Sequence, residues 1–228
     1  MKKALIILSC VVVAVLAFAT AFLLTYEREQ GVSEKPVLYV YAPQEQLVTV
    51  SVDVDGAIDI AYPAPDALET TDWGTRASWT VTASPDGTLT DASGRTYPSL
   101  FWDGPVGQES PEEGFVVARE DAVPFLEEKL ALLGLTDKEA ADFITYWAPR
   151  IRANEYTFVS FDASSYTAHA RYSFTDEAGA PVEPDTFIRV FMTIRQAEVT
   201  TQVREQAFGP TPQRTGLVAV EWGGTEEQ

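Results

Sequence analysis

The only histidine of the chain, His169, limits the hydrolytic chemistry that the sequence could support. Any Ser-His-Asp triad would have to include this residue, and a zinc site with several histidine ligands is excluded. Residues 166–174 alternate in polarity, which predicts a strand with His169 on its polar face beside Thr167 and Arg171. No Gly-x-Ser-x-Gly motif supplies a nucleophile to partner it. The sequence therefore assigns no catalytic residue.

Carboxylates are the commonest reactive groups, with 34 Asp and Glu residues in the chain. A convergent pair could hydrolyse glycosidic bonds, but the sequence does not single out two that meet. The run Asp53-x-Asp55-Gly56, followed by Asp59, has a partial likeness to a calcium loop. An EF-hand loop, however, spreads its ligands over about twelve residues between two helices. These carboxylates lie on a predicted strand and its turn, so we predict that they face solvent, with no metal site and no cofactor.

Glu221 is unusual because it lies between Val220 and Trp222 in an otherwise apolar strand. A carboxylate buried there needs a partner, since an unpaired one is either costly or protonated. Arg189, which lies in a similar apolar segment, is a suitable partner. Either the two residues bridge neighbouring strands or Glu221 faces outward. Both are kept as candidate binding residues.

Aromatic side chains offer a different kind of site, because exposed rings can stack on the faces of sugars. Three of the five tryptophans occupy periodic apolar patterns and are predicted to be core residues: Trp79, Trp147 and Trp222. Trp73 stands in a predicted loop, and Trp102 precedes Asp103 at the end of a predicted strand. Trp73 and Trp102 are the better surface candidates, with anchoring in the core or in a loop as the alternative, and we take them with Asp103 as candidate binding residues.

Residues 4–24 form a hydrophobic run with three polar members: Ser9, Cys10 and Thr20. As an α-helix this run would span about 31 Å, close to the hydrocarbon thickness of a bilayer. Lys2 and Lys3 precede the run, which favours a cytoplasmic N-terminus. Residues 1–30 are therefore predicted to be a cytoplasmic stub, a transmembrane anchor and the start of a stalk. The membrane is a partner through residues 4–24, and the remainder of the chain is expected to be extracytoplasmic.

Two other interpretations of this N-terminal segment also lead to export. Small-x-small triplets at residues 17–19 and 19–21 could be signal-peptide cleavage sites, in which case the mature chain would be secreted. Cys10, which follows Leu8 and Ser9, could instead be a lipoprotein site. All three interpretations place the C-terminal part outside the cytoplasm, and they differ only in how it is retained.

The exported part is strongly acidic, with a net charge near −19 for residues 31–228. Such a charge repels nucleic acid and anionic lipid surfaces and argues against a polyanionic ligand. The sole cysteine, Cys10, lies within the hydrophobic run. The exported part therefore has no disulfide and no thiol nucleophile, and core packing alone must stabilise it.

The order of predicted elements indicates an α+β fold of mostly antiparallel strands with a central two-helix hairpin. Strands are predicted at 37–41, 47–55, 58–62, 76–83, 97–102, 156–161, 166–174, 187–195 and 217–222. Asp55-Gly56 is a hairpin signal between the second and third of these strands. Loops are expected at 63–74 and 104–114. The predicted organisation is a linker at 31–35, a single extracytoplasmic domain at 36–224 and an acidic tail at 225–228.

The helical hairpin is predicted from its caps and its apolar stripes. Asp121 can cap a first helix that ends at Gly134. Thr136 and Glu139 form a capping box for a second helix, which Pro149 is expected to close.

Five segments of the chain are distinctive: KPVLYVYAP (35–43), WTVTASPDGTLTDASGRTYPSLFWDG (79–104), GFVVAREDAVPFLEEKLALLGLTDKEAADFITYWAP (114–149), DTFIRVFM (185–192) and GLVAVEWGG (216–224). Taken together and in this order, they resemble a family of uncharacterised bacterial exported or membrane-anchored proteins with more distant fungal relatives. The resemblance covers roughly residues 35–224 and implies that the exported part is one unit. It implies no activity, substrate or site.

Two classes of function are compatible with these observations. The first is a membrane-tethered module that binds a cell-wall component or a surface protein at the cell envelope. The second is a carboxylate-based hydrolase of a surface polymer, which requires a cleft with two convergent acids, at least one of them with a raised pKa. The absence of nucleophile, metal and phosphate motifs in the sequence favours the first.

Overall fold

The computed structural model describes residues 32–107 and 109–227. The predicted membrane segment at residues 4–24 lies outside the described residues. Among the residues that are described, no helix has the length and apolar character needed to cross a bilayer.

Fourteen strands and three α-helices are found in this part of the chain. The strands are β1 (Val32–Tyr41), β2 (Gln46–Val54), β3 (Ile60–Tyr62), β4 (Ala67–Thr71), β5 (Gly74–Ala83), β6 (Leu89–Thr90), β7 (Thr96–Tyr97), β8 (Leu100–Pro105), β9 (Glu113–Ala118), β10 (Tyr156–Ser160), β11 (Ala170–Thr175), β12 (Thr186–Ala197), β13 (Arg204–Glu205) and β14 (Val218–Glu226). The helices are α1 (Ala122–Leu132), α2 (Asp137–Ile151) and α3 (Ser164–His169), and a 3₁₀ turn at Arg119–Asp121 precedes α1.

A large sheet of eight strands forms the middle of the structure, in the order β13-β9-β10-β12-β14-β1-β8-β3. Most neighbours are antiparallel, but β12 and β14 are parallel, as are β13 and β9. Eight consecutive residues of β14 are buried, which is typical of a strand covered on both faces. Apolar layers therefore pack against both sides of the large sheet.

A smaller sheet contains β11, β2, β5, β6 and β7 in that order, and β4 also pairs with β5. The inner face carries the four valines of β2, which are all at most 1% exposed: Val48, Val50, Val52 and Val54. These valines pack against the large sheet through residues such as Leu38, Val40 and Trp102. The other face of the large sheet packs on α1 and α2 through residues such as Leu126, Phe143 and Trp222. The result is three layers: small sheet, large sheet and helical hairpin.

The predicted α+β class with mostly β structure is confirmed, as is the alternation of burial along β2. The capping box of α2 is also confirmed, because the Thr136 side chain accepts from the Glu139 N–H and the Glu139 side chain accepts from the Thr136 N–H. In β12 the predicted apolar face is buried in the helix-side core: Ile188, Val190, Met192 and Ile194.

Several local predictions are wrong because the two-sheet topology overrides them. Asp55-Gly56 does not form a hairpin; β3 joins the large sheet beside β8, while β2 lies between β11 and β5. The predicted loop at 63–74 contains β4, an edge strand whose polar sequence ALETT has no apolar alternation to reveal it. The strand predicted at 166–174 is half helix, α3, followed by β11.

The ends of three elements also differ from their predicted positions. Pro149 lies inside α2 and does not close it, because the helix runs on to Ile151. Burial of neighbouring helix residues such as Trp147 and Ile151 offsets the hydrogen bond that proline cannot donate. Asp121 makes no side-chain capping bond, since the 3₁₀ turn precedes the helix. β1 begins at Val32, within the segment predicted as a linker.

Candidate functional site

Of the two alternatives for Glu221, the structure shows the bridge to Arg189 on the neighbouring strand, and this pair lies between the two sheets. Their strands are parallel neighbours with the two residues in direct register. Arg189 Nε donates to Glu221 Oε2 at 2.6 Å, and Arg189 Nη2 donates to the Ala170 carbonyl at 3.0 Å. The Tyr166 hydroxyl donates to the other carboxylate oxygen at 2.7 Å. Because the Glu221 side chain is only 1% exposed, its charge is neutralised within the core rather than by water.

Two aromatic residues complete this inter-sheet network, defined as Glu221, Arg189, Tyr166, Tyr172 and Trp102. The guanidinium carbon of Arg189 lies 5.2 Å from the Tyr166 ring centre and 5.3 Å from that of Tyr172. Trp102 Nε1 donates to the Tyr172 hydroxyl at 2.8 Å. Burial raises the pKa of both tyrosines well above the ordinary value, and the Glu221 carboxylate adds to this effect. Both phenols therefore remain protonated as donors.

The structure separates the residues that were expected to bind a ligand. Trp102 is 1% exposed, so it is a core residue and not a surface one: β8 turns the ring into the inter-sheet core. Asp103 is half-buried beside it, and its carbonyl accepts from the Asp59 N–H at 2.8 Å. Trp73 is half-buried in the two-residue turn between β4 and β5, with the Arg171 guanidinium 4.3 Å above its ring. In the inter-sheet network the Glu221 carboxylate is buried and both of its oxygens are bonded, so the network offers no open site for a ligand.

An open cleft lies where the outer edge of β5 is interrupted. Residues 74–78 of β5 pair with β4, and Thr82 and Ala83 pair with β6. Neither strand pairs with residues 79–81, and a cleft of about 400 Å³ occupies this gap. We refer to it as the β5 cleft. It exists because two short strands share one edge without meeting.

Aromatic side chains form one wall of the β5 cleft. Tyr62, at the end of β3, is 55% exposed, and its ring meets that of Tyr97 edge to face with centres 5.8 Å apart. The Tyr97 hydroxyl donates to Asp91 Oδ2 at 3.0 Å. Trp79 Nε1 donates to the Pro63 carbonyl at 2.8 Å, which ties the segment after β3 to the cleft floor. The contact with Tyr97 and the hydrogen bond to Pro63 thus hold the exposed Tyr62 ring in place.

Charged groups also line the β5 cleft. Asp66 accepts the Thr80 N–H through Oδ2 at 2.6 Å. The exposed Arg95 guanidinium makes neither an ion pair nor a hydrogen bond with any residue that the structure describes; it lies 5.5 Å from the Tyr97 ring centre. Asp91 accepts from the N–H groups of Ser93 and Arg95 and from the Ser93 hydroxyl. The Ser93 hydrogen bond, above all, lowers the pKa of the Asp91 carboxyl.

The prediction that His169 lies on a strand is wrong, because His169 is the last residue of α3. Its Nδ1 lies 3.0 Å from Asp55 Oδ2, and the two side chains are 34% and 48% exposed. The Asp55 N–H also donates to the His169 carbonyl at 2.8 Å. Within the described ranges no hydroxyl is hydrogen-bonded to the imidazole, so the pair forms two members of a triad without a nucleophile. It fastens α3 to the end of β2.

A second, shallower groove of about 420 Å³ follows β9 and α1. Its cation, Lys129, is bonded to Glu128 at 2.8 Å and covers the Phe115 ring at 4.9 Å. The basic residue that lines this groove is therefore already engaged, unlike Arg95 in the β5 cleft.

The residues that line the β5 cleft were not predicted from the sequence. Tyr62 could have been found as an aromatic residue directly before a proline at a strand end, and Arg95 as a cation within the Asp91-x-Ser93 turn. Tyr62 and Arg95 line the same cleft because β3 of the large sheet comes close to β7 of the small sheet, and no local pattern reveals this.

Comparisons with known proteins do not identify this fold or this site: no family model, no curated protein and no solved structure matches the chain.

Proposed function

We propose that the chain is a membrane-tethered extracytoplasmic binding module that holds a cell-envelope component in the β5 cleft. The observation that carries the proposal is the cleft itself, at a gap in a sheet edge, with an exposed aromatic ring and an arginine that forms no ion pair with any described residue. Mixed aromatic and polar linings of this size are typical of ligand sites. The hydrophobic run at residues 4–24 supports the membrane tether, and the resemblance to exported bacterial proteins agrees with it.

The alternative, a carboxylate-based hydrolase, has less support. Asp66 and Asp91 both line the cleft, which gives the pair of acids that such an enzyme needs. However, hydrogen bonds hold the pKa of Asp91 below its usual range, whereas a general acid needs a raised pKa. Both Asp91 oxygens already accept hydrogen bonds, Oδ1 from the Ser93 N–H and Oδ2 from the Tyr97 hydroxyl. Asp91 is therefore better suited to shaping the cleft than to proton transfer.

Cosedimentation with isolated bacterial cell walls tests the proposed binding function, using the full chain in detergent micelles. We expect Tyr62→Ala to reduce the bound fraction strongly. Ile60→Ala is the matched control, because Ile60 lies on the same strand, is 59% exposed and does not line the cleft. Equal losses in both variants, or no cosedimentation of the parent chain, would contradict the proposal.

The membrane topology is tested separately with a C-terminal reporter on the full chain in intact cells. We expect added protease to degrade the reporter, because residues after the hydrophobic run would lie outside the cytoplasm. A reporter that is protected until the cells are lysed would overturn the extracytoplasmic location.

A further inference from the structure

We infer that the ligand of the β5 cleft is an uncharged saccharide, an inference that rests on the proposed binding function and specifies its ligand. Three properties of the cleft lead to this chemistry. An exposed aromatic ring is already held in place, hydrogen-bond donors and acceptors are both available, and the local charges disfavour both an anionic and a cationic ligand.

The Tyr62 ring offers a surface for stacking that needs little reordering on binding. Tyr97 supports it edge to face at 5.8 Å, and Asp91 in turn holds the Tyr97 hydroxyl at 3.0 Å. A ring fixed in this way loses little side-chain entropy when a ligand covers it. The C–H face of a pyranose is a suitable partner because it is apolar and flat, like the partners on which aromatic rings pack elsewhere.

Polar groups of both kinds surround this ring. Arg95 supplies donors that no described residue uses, and Asp66 uses only Oδ2 in its bond to the Thr80 N–H. In an antiparallel strand the N–H and C=O of one residue point to the same side, so the Thr80 carbonyl also faces the gap. A hydroxyl group donates one hydrogen bond and accepts others, so adjacent sugar hydroxyls match this mixture.

The charges around the cleft oppose an ionic ligand. An anion would meet Asp66 and Asp91 within the cleft and a chain whose formal net charge is −18. A cation would meet the Arg95 guanidinium, and both Asp91 oxygens already accept hydrogen bonds, from the Arg95 N–H and from the Tyr97 hydroxyl. An uncharged ligand avoids both penalties while using the hydrogen bonds of each group.

The shape of the gap disfavours an extended peptide. Peptides that add to a sheet need a continuous open edge for their backbone hydrogen bonds. Here β4 and β6 occupy the edge of β5 on both sides, and Asp66 already binds the Thr80 N–H. A ring-shaped ligand fits between the two strands, whereas an added strand would collide with them.

Isothermal titration calorimetry with the full chain in detergent micelles tests the inference. The neutral probes are cello-, manno- and chito-oligosaccharides, and the anionic probe is oligogalacturonate. We expect at least one neutral probe to bind at millimolar concentration and oligogalacturonate not to bind. Tyr62→Ala should weaken binding roughly tenfold or more, as truncation of a central aromatic residue commonly does. Ile60→Ala should leave it unchanged.

Variants of Arg95 separate hydrogen bonding from charge. Arg95→Leu should weaken binding of the neutral probe, and Arg95→Gln should retain more of it because the amide still donates. Raising the salt concentration should leave the affinity unchanged, since salt screens only interactions between charges. Loss of affinity in high salt, or a preference for oligogalacturonate, would overturn the inference.

Failure of the saccharide inference can be distinguished from failure of the proposed binding function. If cell walls bind in a Tyr62-dependent manner but none of the neutral probes binds, the saccharide inference fails and the binding module stands. If cell-wall binding does not depend on Tyr62, the cleft is not the site and both fail.

Discussion

Two arginines of this protein lie over tyrosine rings at similar distances, yet one is bonded to a buried carboxylate and the other is exposed to solvent. Arg189 lies 5.2 Å from the Tyr166 ring centre and is bonded to Glu221 inside the inter-sheet network. Arg95 lies 5.5 Å from the Tyr97 ring centre and has no acidic partner among the described residues. The same residue types thus form a structural clamp in one place and an accessible surface in the other.

The difference follows from strand pairing rather than from residue type. Arg189 and Glu221 lie on β12 and β14, two adjacent central strands of the large sheet that are covered on both faces. Arg95 precedes β7, beside the gap that β4 and β6 leave along β5. Where strands pair completely, polar groups must satisfy one another; where an edge is interrupted, they remain available. Variants of the two regions can sharpen this distinction.

The largest effect is expected from Arg189→Leu, which leaves the Glu221 carboxylate buried without its cation. Removing one partner of a buried ion pair costs about 3–5 kcal/mol of the free energy of unfolding. Urea denaturation followed by tryptophan fluorescence measures this change. A variant as stable as the parent would show that the network does not clamp the sheets together. If the variant does not fold, Arg189→Lys, which retains the charge, should recover part of the stability.

A smaller and pH-dependent effect is expected from Glu139→Gln. Burial opposes ionisation of Glu139, but hydrogen bonds from Arg214, the Thr136 N–H and Tyr41 outweigh it and lower its pKa. Because the folded-state pKa is lowered, the stabilisation is fully present above the unfolded pKa of about 4.3 and is lost as the pH falls through the folded value. At neutral pH the variant should lose roughly 1.5–3 kcal/mol, the usual contribution of hydrogen bonds to a charged group.

Thermal unfolding of the parent and of Glu139→Gln across acidic pH checks this prediction. The two stability curves should converge as the pH falls, because the parent then loses the ionised carboxylate. Curves that stay parallel down to low pH would contradict the assigned role of Glu139.

The hydroxyl of Tyr172 is expected to have an intermediate effect within the inter-sheet network. Tyr172→Phe removes the acceptor of the Trp102 Nε1 proton, which is buried, so the free energy of unfolding should fall by about 1–2 kcal/mol. Tyr156→Phe is the matched control, because Tyr156 lies at the start of β10, outside the inter-sheet network. Equal stabilities of the two variants by chemical denaturation would remove Tyr172 from the network.

The sequence was sufficient to predict elements whose signals are local. The alternating valines of β2 and the capping box of α2 follow from residue patterns. The cost of an unpaired carboxylate identified Arg189 as a suitable partner for Glu221, although an outward-facing Glu221 remained the alternative. Each of these predictions needed information from only one or two segments.

What the sequence could not reveal depends on which strands become neighbours. Trp102 precedes an Asp-Gly pair that is typical of a surface turn, but β8 continues through it and buries the ring. Tyr62 and Tyr97 meet although 35 residues separate them in the sequence, because the end of β3 comes close to β7 of the other sheet. A cleft formed by an incomplete sheet edge has no local signature.

The smallest change in stability is expected from Arg95→Leu, which completes the comparison with Arg189→Leu. Arg95 is exposed, and its guanidinium has no hydrogen bond or ion pair to lose among the described residues, so the free energy of unfolding should change by no more than about 0.5 kcal/mol. The same urea titration measures both variants. If Arg95→Leu were as destabilising as Arg189→Leu, the β5 cleft would be part of the structural framework rather than a surface held open for a ligand.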